Sequence, residues 1–543
     1  MVPLYAKEVA RTIPNTRTTS PTIAVMPNTK SEYDYIVVGA GTTGCVLAAE
    51  LVRRQVGSVL LVEEGGRASH RFSRTPVLYP HLFSDARFCY PYETVPQPGL
   101  AGRKIRLPAG RGIGGSTLIN AMIYMPPHRG DLDDWQKIAG DDWTWDQCQS
   151  ALRRIETKYP DREWKVTDLH DASQALLRLT QSTDASSELF PYERTTRNGL
   201  RLDAKHAWLK SVSSNDLSIV GEVRVKRIRI KLDSAEGIEC STTDSNHEFI
   251  RCTKGVIVCC GAFGSPQLLA NSGFGRNVAR CSQETMIHES MMLGENLQDH
   301  LVFPIVLDSP CHPLQSRFSR TERCDYLSKR TGPMASNIAE LGAFLGPNAN
   351  GRLEFCEVDR SCGATPTVQW HVTPTHYLEY PIRDVPSPCM SIAVTLLHPK
   401  SRGRMRLITQ ASRDGQSLID PQYHAIIEDL HALVTATQWA REWIANHATE
   451  QWTAREVIPG DRRASIEQVS RLVERLATTI YHFAGTCAIG KENDAVCTPR
   501  FRVRGSDNLF VCDGSSIPSL PSGNTQITVM MMAIRLAEWL SDS

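Results

Sequence analysis

The clearest pattern of apolar and polar positions lies near the amino end, from Tyr33 to Gly66. Tyr35 to Val38 is a short β-branched run typical of a strand, and Val59 to Val62 is a second run of the same kind. Between them, Cys45 to Arg54 has the apolar spacing of a helix. The pattern therefore predicts a strand, a tight turn, a helix and a second strand.

Three glycines, Gly39, Gly41 and Gly44, fill the predicted turn in G-x-G-x-x-G spacing. The first allows the tight turn, the second lets the backbone approach a pyrophosphate, and the third lets the helix pack closely on the strand. Glu63 ends the second strand, where an acidic side chain meets a ribose 2′-hydroxyl and repels a 2′-phosphate. A glycine-rich turn that binds nothing is the alternative. The flanking elements favour a dinucleotide site for FAD or NAD, and the motif alone does not choose between these two.

A second glycine-rich segment lies between Arg106 and Trp135. Its glycines and the polar residues that follow them are Gly110, Gly112, Gly114, Gly115, Ser116, Thr117 and Asn120. Serine and threonine directly after glycines are typical of a helix start. A flexible loop without a ligand is one interpretation, and a second close approach of backbone to a flat cofactor is the one we favour.

Further along, the apolar pattern predicts a second unit between Leu301 and Ala477. Thr367 to Val372 and Ser391 to Leu397 have the composition of strands, and Ile427 to Trp443 has helical periodicity. No internal repeat occurs.

Composition changes this picture little. The chain has 543 residues, 41% of them hydrophobic, which is enough for more than one core. The formal net charge of +1 gives no reason to expect a nucleic-acid partner, and the basic run from Arg224 to Lys231 is interpreted as the solvated face of a strand. The uncharged window from Gly255 to Gly275 contains five glycines and a proline, so we expect no membrane span. The first residues predict a disordered leader, with an organellar transit signal as the alternative.

The sixteen cysteines include no pair in C-x-x-C spacing, and the chain has no H-E-x-x-H and no N-x-[ST] sequence. We therefore expect no metal and no disulfide framework, but buried thiols in a reducing compartment, with Cys259 and Cys260 packed in the core. A cytoplasmic enzyme is the corresponding expectation.

Several separated segments, in this order, resemble the glucose-methanol-choline (GMC) family of FAD-dependent oxidoreductases. After the opening motif they are GRGIGGSTLIN, GAFGSPQLLANSGFG, GENLQDH, YHFAGTCAIG and DGSSIPSLPSGNTQITVMMMAIRLAEWL. Phe274 stands where the family usually has an aliphatic residue, and the region from Trp164 to Arg194 lacks the family's H-G-x-x-G-P stretch. The resemblance extends from about Tyr33 to the carboxyl end.

The resemblance implies an α/β protein with a Rossmann-like FAD-binding domain and a discontinuous α+β substrate-binding domain built on an antiparallel sheet. Residues 1–31 would be the leader, residues 32–160, 195–300 and 478–543 the FAD-binding domain, and residues 161–194 and 301–477 the substrate-binding domain.

The resemblance also implies a set of FAD contacts. These are Gly39, Gly41, Thr42, Thr43, Gly44, Glu63, Glu64, Gly115, Ser116, Asn120, Ala121, Met122, Ile123, Val225, Asp513, Gly514, Thr525 and Gln526. Val225 would meet the adenine through its backbone, Asp513 and Gly514 the ribityl or phosphate region, and Thr525 and Gln526 the pyrimidine edge of the flavin. Some relatives attach FAD through a histidine just before the Asn of G-G-S-x-x-x-N. This chain has Ile119 there, so we expect noncovalent FAD.

Oxidation of an alcohol needs a base for the hydroxyl proton and an acceptor for the hydride, which in this family is flavin N5. His482 holds the family's base position, and imidazole suits this role near neutral pH. Asn524 holds the partner position, where an amide can hydrogen-bond the substrate oxygen as it gains alkoxide character. The alternative for Asn524 is to cap the helix that follows it, and the two roles are compatible.

Three functions are open on this evidence. The first is a FAD-dependent alcohol oxidoreductase that uses O₂ or another electron acceptor. The second is a lyase with the same fold, similar to hydroxynitrile lyases, or another flavoprotein that oxidises nothing, such as a photodecarboxylase. A flavin-binding protein without catalysis is the third, and the presence of His482 and Asn524 argues against it.

The substrate is less defined, because specificity lies in loops and in the substrate domain. Trp370, His371, Tyr377 and Tyr380 form an aromatic group that would suit an aromatic or polyketide-like alcohol. A sheet core is the other interpretation of the same group.

Overall fold

The computed structural model describes residues 30–66, 71–162, 168–180, 188–212, 215–241, 248–275, 288–290, 292–308, 314, 318–377, 389–408, 417–447, 455–462 and 465–542. The expected leader, residues 1–31, lies almost wholly outside these ranges, as does Tyr380.

The strands are β1 (Glu32–Val38), β2 (Val59–Val62), β3 (Cys89–Glu93), β4 (Arg106–Gly110), β5 (Phe190–Pro191), β6 (Thr196–Arg197), β7 (Leu200–Arg201), β8 (Leu217–Val220), β9 (Arg224–Lys231), β10 (Ser234–Ser241), β11 (Glu248–Val258), β12 (Leu301–Asp308), β13 (Leu341–Pro347), β14 (Leu353–Phe355), β15 (Val368–Thr373), β16 (Cys389–Leu396), β17 (Arg404–Arg406), β18 (Leu418–Asp420), β19 (Glu456–Ile458), β20 (Thr478–Thr479) and β21 (Leu509–Val511).

The α-helices are α1 (Thr42–Arg53), α2 (Arg71–Arg74), α3 (Arg129–Ala139), α4 (Trp145–Glu156), α5 (Asp171–Thr180), α6 (Ala204–Trp208), α7 (Gly261–Asn271), α8 (Arg320–Lys329), α9 (Ile427–Asn446), α10 (Ile466–Leu476) and α11 (Gln526–Ser541).

The first sheet has the strand order β8-β2-β1-β11-β10-β9, and β21 pairs with the far end of β11. The strands β8, β2, β1, β11 and β21 are parallel, whereas β10 and β9 add an antiparallel edge. Strands β1 and β2 are largely buried on both faces, which explains the continuous apolar sequence of each. The predicted order of strand, turn, helix and strand is confirmed, with α1 packed against α11.

Cysteines line the carboxyl ends of the central strands. Cys259 and Cys260 follow β11, and Cys512 follows β21. Cys259 and Cys512 are buried, as is the helix residue Cys45, and burial raises the pKa of each thiol. Cys259 and Cys260 also border the cavity described below, so neither is purely a core residue.

The second sheet is antiparallel and has the order β14-β13-β15-β16-β12-β19. The strand β5 adds to β13, and β20 adds to β12. Helices α9 and α10 pack on this sheet and close a second hydrophobic core. Together the two sheets confirm the predicted α/β class with an antiparallel second sheet.

Alternation along β15 separates two residues that the sequence grouped together. Trp370 is fully buried and packs against Phe355, Trp439 and Trp443 on the side of helix α9. His371, one residue later, borders the cavity on the opposite face. The predicted aromatic group is therefore divided, and Trp370 belongs to the sheet core rather than to a pocket.

Among the described residues, no helix is both long enough and apolar enough to cross a membrane.

Candidate active site

A cavity of about 560 Å³ lies where residues of both sheets meet. Every residue predicted to bind FAD or act in catalysis borders it, except Gly44. Gly44 lies one layer deeper, because a Cβ there would be 1.9 Å from the Gly39 carbonyl oxygen. Its role is the close packing of helix on strand that the motif predicts.

The two glycine-rich segments adjoin at one end of this cavity. Gly39 has a φ of +98°, and a Cβ there would lie 2.4 Å from the Cys259 carbonyl oxygen. Gly115 packs against Gly41, since its Cβ would lie 2.6 Å from the Gly41 Cα. A Cβ on Gly41 itself would meet only the Cys259 carbonyl oxygen, at 3.8 Å. The backbone in front of Gly41 is therefore open toward the cavity, as a pyrophosphate requires.

Glu63 ties these loops together. Its carboxylate accepts hydrogen bonds from the backbone N–H groups of Ala40 at 2.9 Å, Gly65 at 2.9 Å and Gly112 at 3.1 Å. Burial raises the pKa of Glu63, and these three bonds oppose that rise. A carboxylate has about four acceptor positions, so one remains for the ribose hydroxyl that the sequence assigns to it. Glu64 borders the same end of the cavity and accepts a hydrogen bond from Tyr90 at 3.3 Å.

Asp513 is held from several sides. Its carboxylate accepts bonds from the Gly261 N–H at 2.8 Å and the Ser265 hydroxyl at 2.6 Å, and it caps the short helix that begins at Gly514. Burial raises the pKa of Asp513, and its hydrogen bonds oppose that rise. Asp513 thus fixes the amino end of α7 against the carboxyl end of β21, at the wall assigned to the ribityl or phosphate region.

A polar chain crosses the middle of the cavity wall. Asn120 donates to the Gln526 side-chain oxygen at 2.5 Å and accepts from the buried Arg201 at 2.6 Å. Arg201 also donates to the carbonyl oxygens of Thr117 and Asn120. The Gln526 amide nitrogen is buried and has no partner among the described residues. The sequence did not identify Arg201, which stands outside every motif.

These features fit FAD. The open backbone at Gly41, the acid Glu63 and the unpartnered Gln526 amide offer groups for a pyrophosphate, a ribose and a flavin carbonyl respectively. The same cavity is also bordered by other residues whose contact with FAD stays a prediction: Val225, Thr42, Thr43, Ser116, Ala121, Met122, Ile123 and Thr525.

His482 and Asn524 meet at the other end. The Asn524 amide nitrogen lies 3.1 Å from His482 Nε2, and both side chains border the cavity. Thr525, not Asn524, occupies the N-cap position of α11, and it makes no side-chain capping bond. The alternative that Asn524 caps this helix is therefore wrong, because its amide is directed to the histidine instead.

Asp299 and His300, the last two residues of GENLQDH, support His482. His300 Nδ1 lies 2.8 Å from His482 Nδ1, and His300 Nε2 lies 2.8 Å from the Leu397 carbonyl oxygen. One carboxylate oxygen of Asp299 accepts the backbone N–H groups of His482 at 3.0 Å and His300 at 2.9 Å. No role was predicted for either residue from the sequence, although an Asp-His pair directly before a buried strand is a recognisable signal.

Burial sets the protonation of this group. It lowers the pKa of His482 well below the ordinary value, and His300 and His371 lower it further. It also lowers the pKa of His300 to about 3 and raises that of Asp299 to about 7. His482 and His300 are thus neutral near pH 7, which leaves His482 free to accept a proton.

Aromatic side chains surround the remaining space near His482. Tyr79, Phe83, Tyr377, Tyr481 and Phe483 border it, and the Phe83 and Tyr481 rings pack edge to face with centroids 5.3 Å apart. The acids among the described lining residues lie at the opposite end, around the glycine-rich loops and the amino end of α7: Glu63, Glu64 and Asp513. Within the described ranges, no group of His, Cys, Asp and Glu is arranged to hold a metal ion.

His371 borders this space, and its hydrogen bonds define which ring nitrogen is an acceptor. The Tyr192 hydroxyl donates to the Trp370 carbonyl oxygen at 2.8 Å, so it accepts from His371 Nδ1 at 3.0 Å. Burial lowers the pKa of His371 to about 4, so its Nε2 is unprotonated near pH 7. That nitrogen is buried and has no partner among the described residues.

Three lining residues that are not glycine have left-handed backbone: Met122 at a φ of 56°, Ile338 at 72° and Tyr481 at 69°. This conformation is unfavourable for residues with a Cβ, and most of all for a β-branched one. Such strain is concentrated at functional sites. At Tyr481 it turns the chain just before His482.

Comparison with known proteins agrees with this geometry. Family models for the amino-terminal and carboxyl-terminal parts of GMC oxidoreductases match residues 33–302 and 399–533. The chain belongs to the GMC oxidoreductase family. It is therefore a flavoenzyme of a family that uses FAD, as the sequence motifs indicated.

Two curated relatives of this GMC oxidoreductase are similar along almost their whole length. It is 29% identical to an alcohol dehydrogenase [acceptor] of Pseudomonas putida, over 93% of this chain and 95% of the relative. It is also 29% identical to an oxygen-dependent choline dehydrogenase of Serratia proteamaculans, with the same coverage of both chains.

Solved structures show the same fold. Pyridoxine 4-oxidase from Mesorbium loti superposes with a TM-score of 0.79 at 24% identity, covering 93% of this chain and 98% of that one. Formate oxidase of Aspergillus oryzae gives a TM-score of 0.80 at 22% identity, covering 94% and 98%.

Proposed function

We propose that this GMC oxidoreductase oxidises an alcohol, with His482 as the base and Asn524 as the hydrogen-bond donor to the substrate oxygen. The observation that carries the proposal is the contact of 3.1 Å between His482 Nε2 and the Asn524 amide, at one end of a cavity whose other end fits FAD. Bound FAD supplies the acceptor for the hydride that leaves the alcohol carbon.

The two side chains divide the remaining work. The Asn524 amide has two N–H groups, one of which points to His482 Nε2 before substrate arrives. An entering hydroxyl takes that place, so that its proton passes to His482 Nε2 while Asn524 donates to the oxygen. The oxygen gains negative charge as the proton leaves, and a fixed N–H donor stabilises it.

The proposed FAD is noncovalent. Ile119 occupies the position from which some relatives attach the flavin, and its apolar side chain packs with Leu82, Phe88 and Leu118. It has no group that could form such a bond. Acid precipitation is expected to release the yellow colour into the supernatant, and colour that stays with the pellet would contradict the proposal.

The proposed substrate is an uncharged aromatic alcohol that carries a second hydrogen-bond donor. Five aromatic side chains border the space near His482, and the described acids of the cavity lie at its opposite end, so no described carboxylate is placed to pair with a cationic substrate. The buried Nε2 of His371 can accept a hydrogen bond but cannot donate one. A ring hydroxyl would satisfy that acceptor. The proposed substrate is compatible with either O₂ or another electron acceptor for reoxidation of the flavin.

A bleaching experiment tests this function. Addition of hydroxybenzyl alcohols under anaerobic conditions should remove the visible absorbance of the bound flavin, while choline and simple sugars should reduce it far more slowly. Cleavage of a cyanohydrin without bleaching would favour the lyase instead. Preferential bleaching by choline would contradict the proposed substrate class but not the oxidation itself.

We also propose the division into an FAD-binding domain and a substrate-binding domain that the sequence predicts. Its support is that the two sheets have separate hydrophobic cores. One boundary needs adjustment, because Thr478 and Thr479 pair with β12 and so belong to the second sheet.

A further inference from the structure

We propose that His300 is a positioning residue that fixes the tautomer and ring orientation of His482, so that Nε2 of His482 faces the cavity without a proton. The inference deepens the proposed function and rests on it for the role of His482. It follows from a row of four hydrogen-bonding groups: the Leu397 carbonyl, His300, His482 and Asn524.

The direction of hydrogen-bond donation in this row is fixed at the Leu397 carbonyl. A backbone carbonyl oxygen only accepts hydrogen bonds, so at 2.8 Å from Leu397 the Nε2 of His300 must carry a hydrogen. A neutral imidazole has one N–H. The Nδ1 of His300 is therefore an acceptor.

The acceptor at His300 Nδ1 then determines which nitrogen of His482 carries the hydrogen. The Nδ1 of His482 lies 2.8 Å from the His300 Nδ1, and one hydrogen must lie between the two nitrogens. Because His300 Nδ1 is the acceptor, that hydrogen belongs to His482 Nδ1. The Nε2 of His482 is then bare, and Asn524, whose amide nitrogen can only donate, is its partner at 3.1 Å.

The other tautomer is disfavoured by the same contacts. With its hydrogen on Nε2, His482 would face His300 with two lone pairs 2.8 Å apart, and Nε2–H would face the Asn524 N–H. Both rings are buried, so no bulk water can relieve this. Low pKa values of both histidines, caused by burial, keep each ring neutral near pH 7.

Asp299 completes the support through the main chain. One of its oxygens holds the backbone N–H groups of His300 and His482 side by side, and the other accepts the Tyr423 hydroxyl at 2.5 Å. The ring of His482 is thus fixed by His300 while its backbone is fixed by Asp299. The other titratable groups that act on the pair are His371 and His398.

His300 holds the base without carrying its proton away. A proton that His482 takes at Nε2 can be shared toward His300 through Nδ1, but the next group, the Leu397 carbonyl, cannot accept a proton. The proton therefore leaves by the way it entered, through Nε2 and the cavity. Because the row ends at a carbonyl group that takes no proton, His300 acts as a positioning residue and not as part of a proton relay.

The experiment begins with the holoenzyme free of substrate. Selective ¹⁵N-histidine labelling distinguishes protonated from unprotonated ring nitrogens by NMR, and His482→Gln assigns the signals. We expect an unprotonated Nε2 and a protonated Nδ1 for His482 at pH 7. A protonated Nε2 in the wild-type protein would overturn the proposal, and because no turnover is involved, this result is independent of the proposed function.

Two matched variants add a kinetic test. In His300→Asn the amide oxygen takes the place of Nδ1 and can still accept from His482, whereas the longer side chain of His300→Gln reaches Leu397 but not His482. When a catalytic histidine is held in the wrong tautomer, kcat can fall by up to about 10⁴-fold. We expect flavin reduction to slow by roughly 10- to 10⁴-fold in His300→Gln, and the acid limb of its pH–rate profile to shift. In His300→Asn the rate of flavin reduction should stay within about fivefold of wild type. Flavin content checks that each variant is folded, and equal rates for the two variants would overturn the proposal.

Discussion

The two ends of the cavity are built in different ways. The dinucleotide end consists of backbone: glycines at Gly39, Gly41 and Gly115, and N–H groups gathered by Glu63. The catalytic end consists of side chains, above all the row of His300, His482 and Asn524. The first is specified by two short glycine motifs, each visible within a few residues of sequence, whereas the second is assembled from single side chains in segments that are far apart.

This difference determines what a substitution does at each end. A backbone cradle is destroyed by any added atom that fills it, so its loss is complete and depends little on chemistry. A row of side chains loses one hydrogen bond at a time, and each loss has its own size and pH dependence. Substitutions at the two ends should therefore differ in both size and pH dependence.

The largest effect is expected at Gly41. A Cβ at Gly41 has open space, so Gly41→Val should fold but fill the place of the pyrophosphate and lose all bound flavin. Gly44→Val is the matched control, because a Cβ there would strike the Gly39 carbonyl oxygen at 1.9 Å and disturb the fold itself. Flavin content and circular dichroism separate the two outcomes. Retained flavin in a folded Gly41→Val protein would mean that the cradle is placed wrongly.

At the catalytic end, His482→Ala should keep its flavin and slow flavin reduction by roughly 10²- to 10⁴-fold, the range for a positioned general base. Wild-type activity should fall only well below pH 6.5, because burial lowers the pKa of His482 and the base is lost when it is protonated. Stopped-flow reduction across pH measures both. An unchanged rate, or an apoprotein, would remove His482 from the role of base.

A smaller loss is expected for Asn524→Ala. Removal of one donor to a developing oxyanion costs roughly 10²- to 10³-fold, and the acid limb of the pH profile should persist because His482 remains. Asn524→His keeps a donor at this position and serves as the control. If Asn524→Ala abolished the pH limb while His482→Ala kept it, the two roles would be reversed.

His371→Phe should change selectivity more than rate. It keeps a flat ring but removes the acceptor Nε2, so discrimination between hydroxybenzyl and benzyl alcohol should fall by roughly ten- to a hundredfold. The ratio of kcat/KM for the two alcohols measures this, and the rate with benzyl alcohol is the internal control. An unchanged ratio would refute a substrate donor at this nitrogen.

The smallest effect concerns stability. The pKa of His371 is about 4 in the folded protein and about 6.5 unfolded, so its neutral form contributes stability above pH 6.5 that is lost as the pH falls toward 4. His371→Phe should therefore make stability less dependent on pH, by about 1.4 kcal/mol per pH unit between about pH 5 and 6. Melting midpoints at several pH values compare the two proteins. Parallel curves would indicate that His371 is protonated in the native state.

The sequence predicted the strand, turn and helix around the first glycine motif, because steric requirements at Gly39, Gly41 and Gly44 act within a few residues and are visible as spacing. It placed His482 and Asn524 only through a family resemblance. It missed Arg201 and the support from Asp299 and His300, since these contacts depend on which distant segments meet in the fold. It also grouped Trp370 with His371, although alternation along β15 sends them to opposite faces.

The cysteines beside the cavity have a consequence for chemical durability. Oxidants and alkylating agents attack the thiolate, and burial holds the pKa of Cys259, Cys260 and Cys512 far above neutral pH. These thiols therefore stay protonated around the backbone that we assign to the pyrophosphate, and any peroxide that diffuses there finds no thiolate to attack. Thiol reagents applied to the folded enzyme should instead reach the exposed Cys324 and Cys362.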